Sequence, residues 1–175
     1  MRYVALLRGI NVGGNTMIKM ETLRNTIAGL GFENVVSYIN SGNLAFDVAK
    51  TGEDILIEKL ENAVETDFGK PVPVMIREQA AISDIVANNP FEGQFESHKE
   101  MHVLFLKEEM PADKAAQLQE SAFPGERYSV KGREIYAHLP SGVAESLLTK
   151  GVIDKKLKVV FTGRNWRTVN KLAGI

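Results

Sequence analysis

The chain contains no cysteine. Disulfides, thiolate nucleophiles and cysteine metal sites are therefore excluded, and the composition fits a reducing compartment. Neither sign of charge dominates: 21 Lys and Arg face 22 Asp and Glu, a net charge of −1, so there is no overall field to recruit a nucleic acid. Long hydrophobic runs are also lacking. Residues 1–7 are followed at once by Arg8, so neither a signal peptide nor a membrane span is expected. No GxSxG elbow is present, no Lys-Ser/Thr follows the glycine-rich run near the start, and that run is not GxGxxG. Of the three histidines, His98 and His102 flank Glu100 in a segment that reads as loop running into strand. The helical spacing of a zinc protease is thus missing. His138 stands alone in a strand. The strand at 43–48 has Phe46 but not the aromatic pair of an RNA-recognition sheet, so nucleic acid is not the expected partner. No cofactor and no metal are expected.

What is present is an ordinary globular composition, 44% hydrophobic and 25% charged over 175 residues, enough for one domain or two small ones with a real core. The near-zero net charge hides an asymmetry. Residues 1–125 carry 11 basic and 18 acidic side chains; residues 126–175 carry 10 and 4. Attraction between the two parts of one molecule accounts for this, as does an acidic partner for the basic end.

The periodicity predicts strand, helix, strand, strand, helix, strand over the first 77 residues. The strands are placed at 2–8, 34–40, 43–48 and 72–77. The helices are at 20–30, with Met20, Leu23, Ile27 and Leu30 on one stripe, and at 54–68, with Ile57, Leu60, Val64 and Phe68 at helical spacing. Ser41-Gly42 is the hairpin signal. This βαββαβ order is the ferredoxin-like pattern. A helix at 78–88, stopped by Pro90, and a loop through 99 lead to a second round: strand 101–107, helix 111–121, strands 127–131 and 134–139. A helical stretch after Pro140, an undecided strand at 157–161 and a terminal helix from Thr162-Gly163 complete it. The expected architecture is α+β: one ferredoxin-like half over 1–77, a connector over 78–99 and a second half with a terminal helix over 100–175. The strands at 3–7 and 101–106 are apolar on both faces, so the face away from the helices also needs cover, for which the other half is the expected source.

The run LLRGINVGG at 6–14 is the most informative motif. An apolar strand ends at Arg8 and breaks into a loop with Gly9, Gly13 and Gly14, residues that permit positive φ and close approach to backbone. In a βαββαβ unit the first strand exits at the same end as the hairpin between the second and third, which places Arg8 near Asn43. Asn11, Asn15, Ser41 and Asn43 then supply neutral hydrogen-bonding groups and Arg8 a fixed charge. Turn formation alone would also explain these glycines and asparagines. Near the end of the chain, Trp166, Val169 and Ala173 fall on one side of a helix. Arg164, Arg167 and Lys171 fall on the other.

Together with KMETLRNTIAGLGFENVVSYINSGNLAF at 19–46, NPF at 89–91 and RNWRTV at 164–169, the first motif makes the chain resemble the bacterial domain-of-unknown-function family 1697 (DUF1697). The resemblance spans essentially the whole chain. It implies two ferredoxin-like halves and a cytoplasmic location, and it implies no established activity, substrate or catalytic residue. The positions matching the family pattern are Arg8, Gly9, Asn11, Gly13, Gly14, Ser41, Gly42, Asn43, Arg164, Asn165 and Thr168. Gly163 departs from it, since the family more often has a larger residue there. Three functions are compatible: a site for a small anionic ligand at the glycine loop, SGN hairpin and RNW segment; a non-catalytic interaction module; or weak nucleic-acid binding through the basic end.

Overall fold

A computed structural model describes residues 1–14 and 16–175. The chain forms two compact units, Met1–Asp84 with Lys171–Ile175, and Ile85–Asn170. The division is discontinuous because the last five residues return to the first unit. There the Ile175 carbonyl accepts hydrogen bonds from Arg2 Nε (2.8 Å) and Gln79 Nε2 (2.6 Å).

The first unit runs β1 (Arg2–Leu7), α1 (Met20–Ala28), β2 (Glu33–Tyr38), β3 (Asn43–Asp47), α2 (Glu53–Phe68) and β4 (Val74–Glu78). Helix α3 (Gln79–Ala87) then leads out of it. The sheet order is β2-β3-β1-β4, with β1 antiparallel to both β3 and β4. Tyr3, Ala5 and Leu7 from β1 pack with Leu23 and Ile27 of α1 and with Leu56, Leu60 and Val64 of α2. The buried stripe of α2 begins at Leu56, while Ile57 and Phe68 lie at its partly buried margin. That helix ends at Gly69 (φ 76°), whose N–H bonds Glu65 O, the left-handed cap that glycine adopts without a steric cost.

The second unit contains β5 (Met101–Leu106), α4 (Ala112–Ser121), β6 (Arg127–Lys131), β7 (Glu134–His138), β8 (Phe161–Asn165) and α5 (Trp166–Leu172), whose end passes into the first unit. Its sheet order, β6-β7-β5-β8, repeats that of the first sheet. Both units are ferredoxin-like. In place of a full second helix, the second has a 3-10 turn at Leu147–Thr149 and a π-helical turn at Val152–Lys156. Leu147 and Ile153 from these turns are buried against Leu104, Leu106 and Ile135.

Two expectations are corrected by this unit. The last strand lies at Phe161–Asn165 rather than 157–161, so the terminal helix starts at Trp166 and not at Thr162-Gly163. Arg164 is therefore a strand residue, 7% exposed, and does not share the solvated stripe of Arg167 and Lys171. A strand whose buried residues are the polar Thr162 and Arg164 has no apolar alternation to show in sequence. Burial on both sheet faces is observed throughout Tyr3–Leu7 and Met101–Leu106.

Candidate functional site

The exit of β1 is fixed by two backbone hydrogen bonds. Leu7 N donates to Gly42 O at 2.9 Å and Arg8 N donates to Pro73 O at 2.9 Å. Leu6 pairs with Asn43 in register, so the glycine loop starts beside the β2–β3 hairpin. Asn11 joins the two. Its Nδ2 donates to Ile18 O (2.9 Å) and to Asn40 O (2.7 Å), and its Oδ1 accepts from Ile18 N (2.7 Å). Its backbone N donates to Thr16 O at 3.1 Å. One side chain thus joins residue 11 to Ile18 and ties both to the hairpin.

The hairpin is held similarly. Asn43 is fully buried, and its Nδ2 donates to Tyr38 O (3.1 Å) and Ser41 Oγ (2.9 Å). Gly42 adopts φ 91°, and a Cβ built there would lie 2.8 Å from Leu7 Cβ and 3.1 Å from the Ile10 side chain. Only glycine brings the hairpin backbone this close to β1. Gly9, Gly13 and Gly14 also have positive φ but are exposed, with open space where a Cβ would go. Asn11 and Asn43 are therefore structural ties, and Arg8 stands half-buried at the strand exit. Asn15 lies outside the described residues.

The loop and the hairpin each hold one non-glycine residue in the left-handed region, and asparagine adopts it readily. Four non-glycine residues have positive φ among those described, and two of them, Asn11 (55°) and Ile39 (49°), belong to the loop and hairpin. A left-handed conformation costs a β-branched residue roughly 1–2 kcal/mol. Ile39 (53% exposed) is also one of three outward apolar side chains here, with Val12 (60%) and Met17 (69%).

Arg164, Asn165 and Thr168 belong to the second unit. Arg164 Nη1 donates to Thr162 Oγ1 (2.6 Å) and to Gly163 O (2.9 Å), and burial pushes its guanidinium down to about 10. Asn165 Oδ1 accepts from Thr168 N (3.0 Å), capping the start of α5.

The two units repeat one construction down to single residues. At the exit of β5, Leu106 N donates to Arg133 O (2.8 Å) and Lys107 N to Val160 O (3.0 Å), so Lys107 occupies the place of Arg8. Arg77 pairs with Val4 in register as Arg164 pairs with Val103. Both arginines are buried, and Arg77 Nη1 donates to the preceding carbonyl, Ile76 O (2.8 Å), as Arg164 does to Gly163 O. Sequence reasoning missed Arg77. Its sole signal is an arginine closing an apolar strand, without the glycine loop that singles out Arg8.

Elsewhere, a groove of about 710 Å³ between α1 and α2 is lined by Thr22, Thr26, Asn62 and Asp67 among others, and includes no residue of the loop or hairpin. His138 is not isolated, because Arg127 and Phe91 lie against it. Among the described residues, no group of three His, Asp or Glu is placed to hold a metal. None of the helices there is long and apolar enough to cross a membrane.

No curated protein matches the chain. Among solved structures it is similar to the conserved bacterial protein SP0830 from Streptococcus pneumoniae. The two share 27% identity and a TM-score of 0.72, over 98% of this chain and 96% of that one. The family model described as a protein of unknown function, DUF1697, matches residues 1–136. With that match covering most of its length, the chain belongs to the DUF1697 family.

Proposed function

We propose that the glycine loop and the hairpin of the first unit form a binding site for a small anionic ligand, with Arg8 as its charged contact. The observation that carries this reading is the left-handed, strained backbone of Ile39 on a frame that Asn11 and Asn43 lock at the exit of β1. Strain of this kind persists where surrounding structure over-determines it, and it clusters at ligand sites. A guanidinium held at such a place offers a planar fork to a carboxylate or phosphate. The RNW segment contributes to this reading only as a family motif, since its side chains cap and brace the second unit. The cysteine-free composition supports a cytoplasmic setting.

A second reading also has a specific observation behind it. Val12, Met17 and Ile39 expose apolar side chains beside the loop, which favours an interaction module that takes an apolar partner surface.

A thermal-shift screen with inorganic phosphate, dicarboxylates and nucleoside monophosphates separates the two. A ligand at one hundred times its dissociation constant stabilises the folded state by about 2.7 kcal/mol, a shift of several degrees. Under the first reading at least one anion raises the melting temperature, and added salt reduces the effect. No shift with any anion sinks it.

A further inference from the structure

The NPF segment and His138 take no part in the glycine loop or its hairpin, yet they meet in one cluster of the second unit. Residues 88–100 connect α3 to β5. Within them Asn89 Oδ1 accepts from Phe91 N (3.0 Å), which sets the Phe91 ring 5.9 Å from that of His138. Arg127 pairs with His138 across the β6–β7 hairpin, and its guanidinium lies 4.7 Å over the Phe91 ring. The same guanidinium reaches His138 Nδ1 with Nε (3.2 Å) and Nη2 (3.0 Å), and Nη1 donates to Gln94 Oε1 (2.7 Å). One arginine therefore fastens two residues of the 88–100 segment to the sheet.

The chemistry of this contact fixes a protonation state. A guanidinium only donates, so His138 Nδ1 must be a bare acceptor and the ring must be neutral with its proton on Nε2. Protonating Nδ1 would replace an acceptor by a donor and set two cations about 3 Å apart. The charged groups facing His138 are Arg127, from β6, and Glu100, just before β5. Glu100 favours the imidazolium, but its Oε2 already accepts from Glu96 N and Ser97 N (both 2.8 Å). Burial and Arg127 outweigh it and hold the ring below the ordinary histidine range.

We propose that the Arg127–His138 contact is a proton-sensitive latch that holds the 88–100 segment on the second sheet and releases it in acid. The sign follows from linkage. The latched ring titrates below its solvated value of about 6.5, so the latch holds fully above that pH and weakens as pH falls below it.

Hydrogen exchange of residues 91–97 in the full chain, corrected for intrinsic exchange, tests this at pH 7.5 and 5.5. One pH unit below the solvated value allows up to about tenfold more opening, and that rise is expected in the native protein. His138→Gln keeps a neutral acceptor and should show no rise; Arg127→Gln should be open at both pH values. Nitrogen chemical shifts of His138 in the unaltered chain give a check that needs no variant, since they must report the Nε2–H tautomer at pH 7.5. Exchange that ignores pH in the native protein, an equal rise in His138→Gln, full protection in Arg127→Gln at pH 7.5, or an Nδ1–H tautomer would each overturn the latch.

Discussion

Gly42→Ala is expected to destabilise the protein by about 3 kcal/mol, whereas Gly13→Ala costs about 1 kcal/mol, although both glycines have positive φ. At Gly13 the added methyl meets nothing within 4 Å, and the cost is backbone strain alone. At Gly42 the same strain is joined by contacts of 2.8 Å with Leu7 Cβ and 3.1 Å with Ile10. Leu7 is a buried residue of β1, and its N–H bonds the carbonyl of Gly42 itself. Leu7 Cβ cannot withdraw without moving β1. Denaturant unfolding of the two variants side by side measures the difference. Equal stability would mean that the hairpin does not press on β1.

His102→Leu should lessen the sensitivity of the fold to acid. His102 lies on β5, 9% exposed, and its Nδ1 has no hydrogen-bond partner among the described residues. Burial, with a smaller contribution from the charge of His98, pushes its pKa down to about 4. Because the folded value is depressed, the unfolded chain binds the proton first. Stability is complete above about pH 6.5 and falls as pH drops from there toward 4. At pH 4.5 the loss amounts to about 2–3 kcal/mol relative to pH 7.5. Carboxylates titrate in native and variant alike, so the difference between their pH 7.5-to-4.5 stability changes isolates His102. If the leucine variant loses as much as the native protein, His102 is solvated well enough to charge in place.

The elements that sequence alone reveals are those whose burial follows a regular period. Leu23 and Ile27, and Leu60 and Val64, carry that signature, the unbroken apolar runs at Tyr3–Leu7 and Met101–Leu106 mark strands buried on both faces, and the first βαββαβ order together with the opening βαββ of the second follows from them. Strand β8 escaped because its buried residues are Thr162 and Arg164, held through hydrogen bonds instead of apolar contact. The helical stretch after Pro140 is real only as two short turns, which no periodicity of 3.6 encodes. At the site, the adjacency of Arg8 to the hairpin follows from topology, and the structure places Leu6 opposite Asn43. The work of Asn11 and Asn43 was not legible, since a turn-forming asparagine looks the same whether its amide faces a ligand or a carbonyl. The Arg127–His138 pair could have been found: extending the register from a two-residue turn at Gly132-Arg133 sets these residues opposite one another.

The measurement that bears most directly on the proposed site compares Arg8→Ala with the native chain. The probe is whichever phosphate, dicarboxylate or nucleoside monophosphate gives the largest thermal shift, with affinity and melting temperature determined together. Loss of a charge-assisted hydrogen bond is typically about 1.5–3 kcal/mol, so affinity should fall roughly 10- to 150-fold. Arg8→Lys should recover only part of it, since an ammonium cannot present the planar fork. Affinity unchanged on the folded protein, with melting temperature lowered in both variants, would make Arg8 a structural residue and remove the ligand site from the exit of β1.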